Sequence, residues 1–335
     1  MINIGIIGAS GYTGLELIKI LINHPKFKIN YIATTEGSEN ITNLHPSLEN
    51  VFSCEVKKID LKNVKNYCEL VFLALPHKTA MAYTKELLKD GLKIIDLSAD
   101  YRLKIENYEK FYCPHEDKEN LSHAIYGLPE YFRDKIKDAK LIANPGCYPT
   151  ASLLGILPFI DYIEDNSTIF IDAKSGVSGA GKKLTETSHF VTINENIFAY
   201  NPISHRHSPE IREKIEILKE KNIKTLFIPH LLPVTRGMLV SIYATLKTTI
   251  NPIDILKNSY KDEFFIRVRE NPVDIKSTSG TNFCDIYAKC DENSLFISSA
   301  IDNLLRGASS QAVVNANIMY GFDEKLAIPI ISYVP

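Results

Sequence analysis

The side chains that carry the most chemistry in this sequence are one cysteine in a glycine–proline frame and two histidines flanking an arginine. The cysteine lies in Leu141-Ile142-Ala143-Asn144-Pro145-Gly146-Cys147-Tyr148-Pro149-Thr150. That run reads as a short buried strand, a tight turn and a helix start, with Pro149 suited to a first helical turn. Cys147 then stands at or just before a helix N-terminus, where unpaired N–H groups and the dipole favour negative charge. A thiol so placed ionises more easily, and the thiolate is the reactive form. A small packing cysteine is the plainer alternative; the Gly/Pro frame and the adjacent Asn144 amide favour a nucleophile.

The histidines lie in Ile203-Ser204-His205-Arg206-His207-Ser208-Pro209-Glu210-Ile211. Ser208 as N-cap and Pro209 at the first helical position predict a helix running through Ile211, Ile215 and Leu218. His205 and His207 then occupy an extended lead-in, two residues apart and facing the same way. They supply a general acid/base beside the Arg206 guanidinium. A metal site would have only these two imidazoles and Glu210, with no further ligand cluster. No metal is expected, and structural histidines are the second reading.

The elements that position these groups follow from apolar runs and glycines. Asn3–Ile7 is a buried strand leading into Gly8-Ala9-Ser10-Gly11-Tyr12-Thr13-Gly14 and a helix with Leu15, Ile18, Leu21 and Ile22 on one face. The G-x-x-G-x-x-G spacing is a relative of the dinucleotide fingerprint, in which glycines let backbone approach a pyrophosphate at a helix N-terminus. A second strand, Lys28–Thr35, ends where the adenosine ribose should lie. Thr34 and Thr35 suit a 2′-phosphate and Glu36 a 2′-hydroxyl, so this loop leaves NADP and NAD both open.

Two more buried strands, in Leu70–Leu75 and Leu92–Leu97, end at Pro76-His77 and at Ser98 through Arg102. Continuous apolar strands alternating with helices predict a parallel sheet covered on both faces, with ligands at the carboxyl ends of its strands. His77 is either a cofactor contact or a loop residue, and Arg102 either a ligand group or a surface ion pair.

Past Cys147, a strand at Thr168–Ala173 enters a loop of small residues containing Gly176, Gly179 and Lys182, suited to an anion. Leu226–Met238 continues into an alternating strand, Leu239–Leu246, so the second half is α+β with antiparallel pairing. Arg236 beside Gly237 faces either solvent or a substrate anion.

The chain has 335 residues and a net charge of −2. That length supports two domains with separate cores. Near-neutral charge without a Lys/Arg run argues against nucleic acid and anionic membrane as partners. The N-terminus reads as a strand, not a signal peptide, and no apolar run is long enough to span a bilayer. Six scattered cysteines without a C-x-x-C pair point to a reducing, cytoplasmic setting.

With these motifs in place, the chain resembles the N-acetyl-gamma-glutamyl-phosphate reductases. The carriers are Gly8–Gly14, Asp96-Leu97-Ser98-Ala99-Asp100-Tyr101-Arg102-Leu103, Tyr126-Gly127-Leu128-Pro129-Glu130, Ala143–Thr150, Ser175–Gly181, His205–Glu210 and Asp302-Asn303-Leu304. The resemblance implies an NADP-linked Rossmann domain over 1–146, completed by a C-terminal helix over 303–335. It also implies a catalytic and oligomerisation domain over 147–302, of the semialdehyde and glyceraldehyde-phosphate dehydrogenase type, and a homodimer or homotetramer.

The expected reaction is NADPH-dependent reduction of N-acetyl-gamma-glutamyl phosphate to the semialdehyde and phosphate, in arginine biosynthesis. Cys147 is the nucleophile, His205 or His207 the acid/base with His205 slightly favoured by resemblance, Glu210 its orienting group, and Asn144 an oxyanion donor. Cofactor contacts are expected from Gly8, Ser10, Gly11, Tyr12, Thr13, Gly14, Thr34, Thr35, Pro76, His77, Ser98, Gly176, Gly179 and Asn303. Substrate contacts are expected from Arg102, Lys182, Arg206 and Arg236. The alternatives are an aminoadipate- or aspartate-type acyl-phosphate reductase, or a nucleotide-binding protein without catalysis.

Overall fold

The structure is a computed structural model that describes residues 1–334. The chain divides into two compact units: Met1–Pro145 with Ala308–Pro329, and Gly146–Gly307 with the tail from Ile330.

The first unit is built on seven strands: β1 (Ile2–Ile7), β2 (Phe27–Thr34), β3 (Lys57–Lys58), β4 (Leu70–Leu73), β5 (Lys93–Asp96), β6 (Ile125–Tyr126) and β7 (Leu141–Ala143). Their order is β3-β2-β1-β4-β5-β7-β6, and every pairing is parallel. The chain moves outward from β1 to β3, returns to β4 and moves outward the other way. The carboxyl ends of β1 and β4 therefore form the switch point where such sheets bind ligands.

Parallel strands are covered on both faces, which is why β4 is apolar throughout and fully buried. Ile7, Val71, Leu73, Ile94 and Tyr108 belong to one buried cluster of this unit. Each such side chain contributes roughly 1.5–3 kcal/mol on burial.

The first helix, Tyr12–Leu21, buries Gly14, Leu17, Ile18, Ile20 and Leu21, while Leu15 and Ile22 are only half-buried. The predicted stripe is shifted because this helix packs against the terminal helix as well as the sheet. That terminal helix is Ser309–Met319, with every residue buried. It is much shorter than the expected 303–335, and its first residues are consumed by a turn: Asp302 Oδ1 accepts the N–H groups of Leu304 and Leu305.

The second unit holds β8 (Thr168–Gly176), β9 (Phe198–Ala199), β10 (Lys224–Leu232), β11 (Met238–Thr245), β12 (Ile266–Val268), β13 (Cys284–Asp291) and β14 (Ser294–Ile301). The order is β12-β13-β14-β11-β8-β10-β9, with antiparallel pairs around β11 and β14 and a parallel β8/β10 pair. The expected antiparallel strand is β11, though β8 lies between it and β10. Over β11 and β14 packs the helix Cys147–Ile156, in which every residue after Cys147 is buried. On the other side of this sheet Phe170 and Tyr243 pair across β8 and β11 and remain 49% and 45% exposed. The fold class expected from the sequence, a Rossmann sheet plus an α+β unit, is the one observed.

Candidate active site

In the first unit the glycine loop has the geometry a dinucleotide needs. Gly8 has φ +95°, and a Cβ there would lie 2.2 Å from the Ala74 carbonyl oxygen at the end of β4. At Gly14 a Cβ would lie 2.6 Å from the Gly8 carbonyl, so the helix can approach β1 only without a side chain. Gly11 is different: its absent Cβ meets nothing nearer than 3.9 Å. Gly11 also N-caps the first helix in an extended conformation with no side-chain cap. The space and the uncapped helix start fit a pyrophosphate.

Around this loop several expected cofactor residues are tied into the fold. Thr34 is buried and its hydroxyl accepts the Gly37 N–H at 3.0 Å, whereas Thr35 and Glu36 are exposed. Tyr12 and Ser10 are exposed, and the Thr13 carbonyl accepts from Ser309 Oγ. Past Pro76, His77 Nδ1 accepts the Ala99 N–H at 2.9 Å. Ser98 is buried and its hydroxyl donates to Asp96 and accepts from Asp100 N–H, so it braces its own turn. Burial and the Asp100 charge push the Asp96 carboxyl well above the usual carboxylate range.

Arg102, expected at the substrate, is 5% exposed; its Nε donates to the Asn144 carbonyl and its Nη2 to the Leu97 carbonyl. Asn144 is held from every side. Its N–H donates to Asp96 O, its Nδ2 donates to Ala308 O, and its Oδ1 accepts from Asn315. Asn315 and Gln311 both donate to the Gly127 carbonyl.

In the second unit Cys147 is the first residue of its helix, and Gly146 is the N-cap with no side-chain cap. Glu210 joins this start to the histidine segment, since its buried Oε1 accepts the Gly146 N–H at 3.0 Å. The histidine helix begins at His207, two residues before the expected start, with Arg206 as N-cap. Ser208 and Pro209 are therefore inside the helix, and the lead-in is a turn, not an extended strand. The reason is His205, whose Nδ1 accepts the His207 N–H at 3.1 Å and so supplies the cap that Ser208 was expected to provide.

The two imidazoles still meet, with ring centroids 4.9 Å apart. Both lie edge-on to Tyr148, the residue after the cysteine, at 5.7 and 5.9 Å. Burial pushes His205 down to about 4, with the Arg206 charge as a lesser cause. The Tyr148 hydroxyl donates to His230 O and accepts from Tyr200, and burial raises both phenols.

Sequence reasoning missed Gly307. A Cβ at that residue would lie 2.6 Å from Cys147 Cβ and 2.6 Å from Asn303 O, so the turn after β14 lies directly against Cys147. Nothing local in Leu305-Arg306-Gly307 signals that approach. Asp302 organises this turn and, fully buried, also accepts from Arg236 Nη2 at 3.1 Å and from Gly280 N–H. Asn303 spends both ends of its amide inside the unit, on Gly237 N–H and Ser178 Oγ. Gly176 and Gly179 are required by close neighbours, Thr235 O at 2.8 Å and Ser175 Oγ at 2.9 Å from their absent Cβ atoms. Lys182 and Arg206 are exposed.

Comparison with known proteins agrees with this layout. Residues 3–139 match the semialdehyde dehydrogenase NAD-binding domain and residues 147–303 the semialdehyde dehydrogenase dimerisation domain. Aspartate semialdehyde dehydrogenase II of Vibrio cholerae, complexed with ASA, superposes with a TM-score of 0.72 at 14% identity, over 96% of this chain and 98% of that one. Aspartate semialdehyde dehydrogenase of Candida albicans, with NADP, gives 0.71 at 14%, over 96% and 98%. At this identity the likeness is one of fold. In sequence, N-acetyl-gamma-glutamyl-phosphate reductase of a Sulfurovum species is 60% identical over 100% of both chains. The enzyme so named from Methanococcus maripaludis is 43% identical over 98% of both. The chain belongs to the N-acetyl-gamma-glutamyl-phosphate reductase family.

Proposed function

We propose that this chain reduces N-acetyl-gamma-glutamyl phosphate to N-acetyl-glutamate 5-semialdehyde and phosphate, with NADPH, through a thioester on Cys147. The observation that carries the reading is the seating of Cys147. It is the first residue of a buried helix, backed by Gly307, and the next residue, Tyr148, meets edge-on a histidine pair whose helix is fastened to the same turn by Glu210.

Cys147 Sγ attacks the acyl carbon, the carbon–oxygen bond to phosphate breaks, and inorganic phosphate leaves. A nicotinamide cofactor held at the Gly8–Gly14 loop would supply the hydride that reduces the thioester carbon. When the resulting oxyanion collapses, the carbon–sulfur bond breaks, the aldehyde departs and Cys147 is restored. The helix N-terminus stabilises charge on sulfur, and backbone N–H at Cys147 together with the rigidly held Asn144 amide are the groups assigned to the oxyanion.

Of the two histidines, His207 is assigned the proton exchange. His205 already commits Nδ1 to the helix start, which fixes its proton on Nε2 and suits a brace. Arg236, set by Asp302, is assigned to a substrate anion, with Lys182 and Arg206 as further cations.

Gly8, Gly11 and Gly14 are the residues assigned to the pyrophosphate. Thr35 and the neighbouring exposed loop are assigned to the 2′-phosphate, with Glu36 the group that would moderate NADP over NAD. The Phe170–Tyr243–Phe296 row on the second sheet, with the first two exposed and Phe296 half-buried, is assigned to packing against another copy, in a dimer or tetramer. Arginine biosynthesis in the cytoplasm is the assigned setting.

The test is phosphate-dependent reduction of NADP and of NAD, in parallel, with N-acetyl-glutamate semialdehyde. Turnover with NADP well above NAD is expected. Absence of turnover with either, in folded protein that binds nucleotide, would point to another acyl phosphate or to a protein without catalysis.

A further inference from the structure

The segment after β2 makes one long-range contact that neither the motif nor the proposed mechanism uses. Residues 35–40 lead to a single helical turn, Ile41–Leu44, capped by Asn40 through the Thr42 N–H. His45 follows, 6% exposed, and its Nε2 lies 2.7 Å from the carbonyl oxygen of Ala9, between the first two glycines of the loop. A carbonyl only accepts, so Nε2 carries the proton and donates.

Ala9 is thereby held through both its N–H and its carbonyl. Gly8 N–H and Ala9 N–H both donate to Ala33 O at the end of β2, at 2.9 and 3.3 Å, and Ala9 O is held by His45. In a trans peptide the following N–H points opposite to the carbonyl. Pinning Ala9 O therefore fixes the plane of the Ala9–Ser10 peptide, immediately before Gly11. The segment that carries His45 is itself fastened: Ile41 N–H donates to Cys54 O, and Ser38 exchanges two backbone bonds with Val56.

We propose that His45 is a positioning residue for the cofactor: its Nε2–H on the Ala9 carbonyl sets the Ala9–Ser10 peptide in the turn that receives the pyrophosphate. This rests on the reading of Gly8–Gly14 as the pyrophosphate cradle. It makes cofactor affinity depend on a residue distant in sequence from the glycine motif, and on its donor atom specifically.

The experiment is a titration of NADPH fluorescence with the full-length protein in four forms: wild type, His45→Leu, His45→Gln and Gly11→Val, each with its thermal midpoint. His45→Leu should raise the NADPH Kd about tenfold, the worth of one hydrogen bond. His45→Gln, whose amide N–H can stand in for Nε2–H, should retain near-native affinity. At saturating NADPH kcat should match wild type, which a general loss of structure would not permit. If His45→Leu does not fold, His45→Asn takes its place, because its shorter amide cannot reach Ala9 O.

Native affinity in His45→Leu together with lost binding in Gly11→Val would overturn the role of His45 while leaving the cradle intact. Equal loss in His45→Leu and His45→Gln would overturn the donor role. Native binding in Gly11→Val would overturn the cradle reading, and the proposal with it.

Discussion

Two helix starts, one in each unit, are built alike but differ in what surrounds them. One follows β1 and is capped by Gly11, the other follows β7 and is capped by Gly146; both caps are extended, and neither has a side-chain cap. Each start leaves backbone N–H groups and a positive dipole end on offer. At Gly11 the space beyond the backbone is empty, with nothing nearer than 3.9 Å to the missing Cβ. At Gly146 the N–H is committed to Glu210, and the first helical residue is a thiol pressed on by Gly307. In the proposed reaction the open start would take its anion from outside, and the loaded one would stabilise a charge of its own. On the proposed function, the same backbone device serves binding in one unit and nucleophilic chemistry in the other.

Removing the charge-bearing atom from the loaded start should separate the two most sharply. Cys147→Ser should cut turnover by roughly 10⁴-fold or more while the NADPH Kd stays at its wild-type value. A Ser variant with appreciable turnover would contradict the covalent role.

The neighbours of that start should matter next. His207→Asn should lower kcat by about 10²–10⁴-fold, the span of general acid–base catalysis, and His205→Asn by clearly less. The reverse ranking, read from pre-steady-state rates, would hand the proton exchange to His205.

His205 makes a separate prediction in stability. Its folded imidazole titrates near 4, against an ordinary 6.5. Above pH 6.5 it is neutral folded or unfolded and the stability is complete. As pH falls from there toward 4, only the unfolded chain takes up the proton, and the loss reaches roughly 3 kcal/mol. Denaturant midpoints measured across this window should fall in wild type and flatten in His205→Asn.

The smallest effect expected is on the backing of the cysteine. Gly307→Ala must displace Cys147 Cβ or Asn303 O, and a misplacement on that scale should cost about 10²-fold or less in kcat with KM little changed. Slower alkylation of Cys147 should accompany it.

What could be read from the sequence was local. The strand–glycine–helix run at Gly8–Gly14 and the Gly/Pro frame around Cys147 are short-range patterns, and both give the elements expected. The histidine helix starts earlier than Ser208 and Pro209 predict, because the ring of His205 caps it from outside the window that capping rules use. The last helix starts later than the sequence predicts because a buried carboxylate, Asp302, bends the residues after it into a turn. His45 on Ala9 and Gly307 on Cys147 lie 36 and 160 residues from their partners, and no periodicity or motif announces such meetings. Arg102 and Ser98 look like ligand groups by position at strand ends, yet burial turns them into braces.

The central claim is that Cys147 takes the acyl group before any hydride arrives. The direct test is to mix the enzyme with N-acetyl-gamma-glutamyl phosphate in the absence of NADPH, follow phosphate release, and map the modified peptide by mass. The account predicts a burst of one phosphate per protomer and an N-acetylglutamyl adduct on Cys147. No burst and an unmodified Cys147, in enzyme that turns over once NADPH is added, would contradict it.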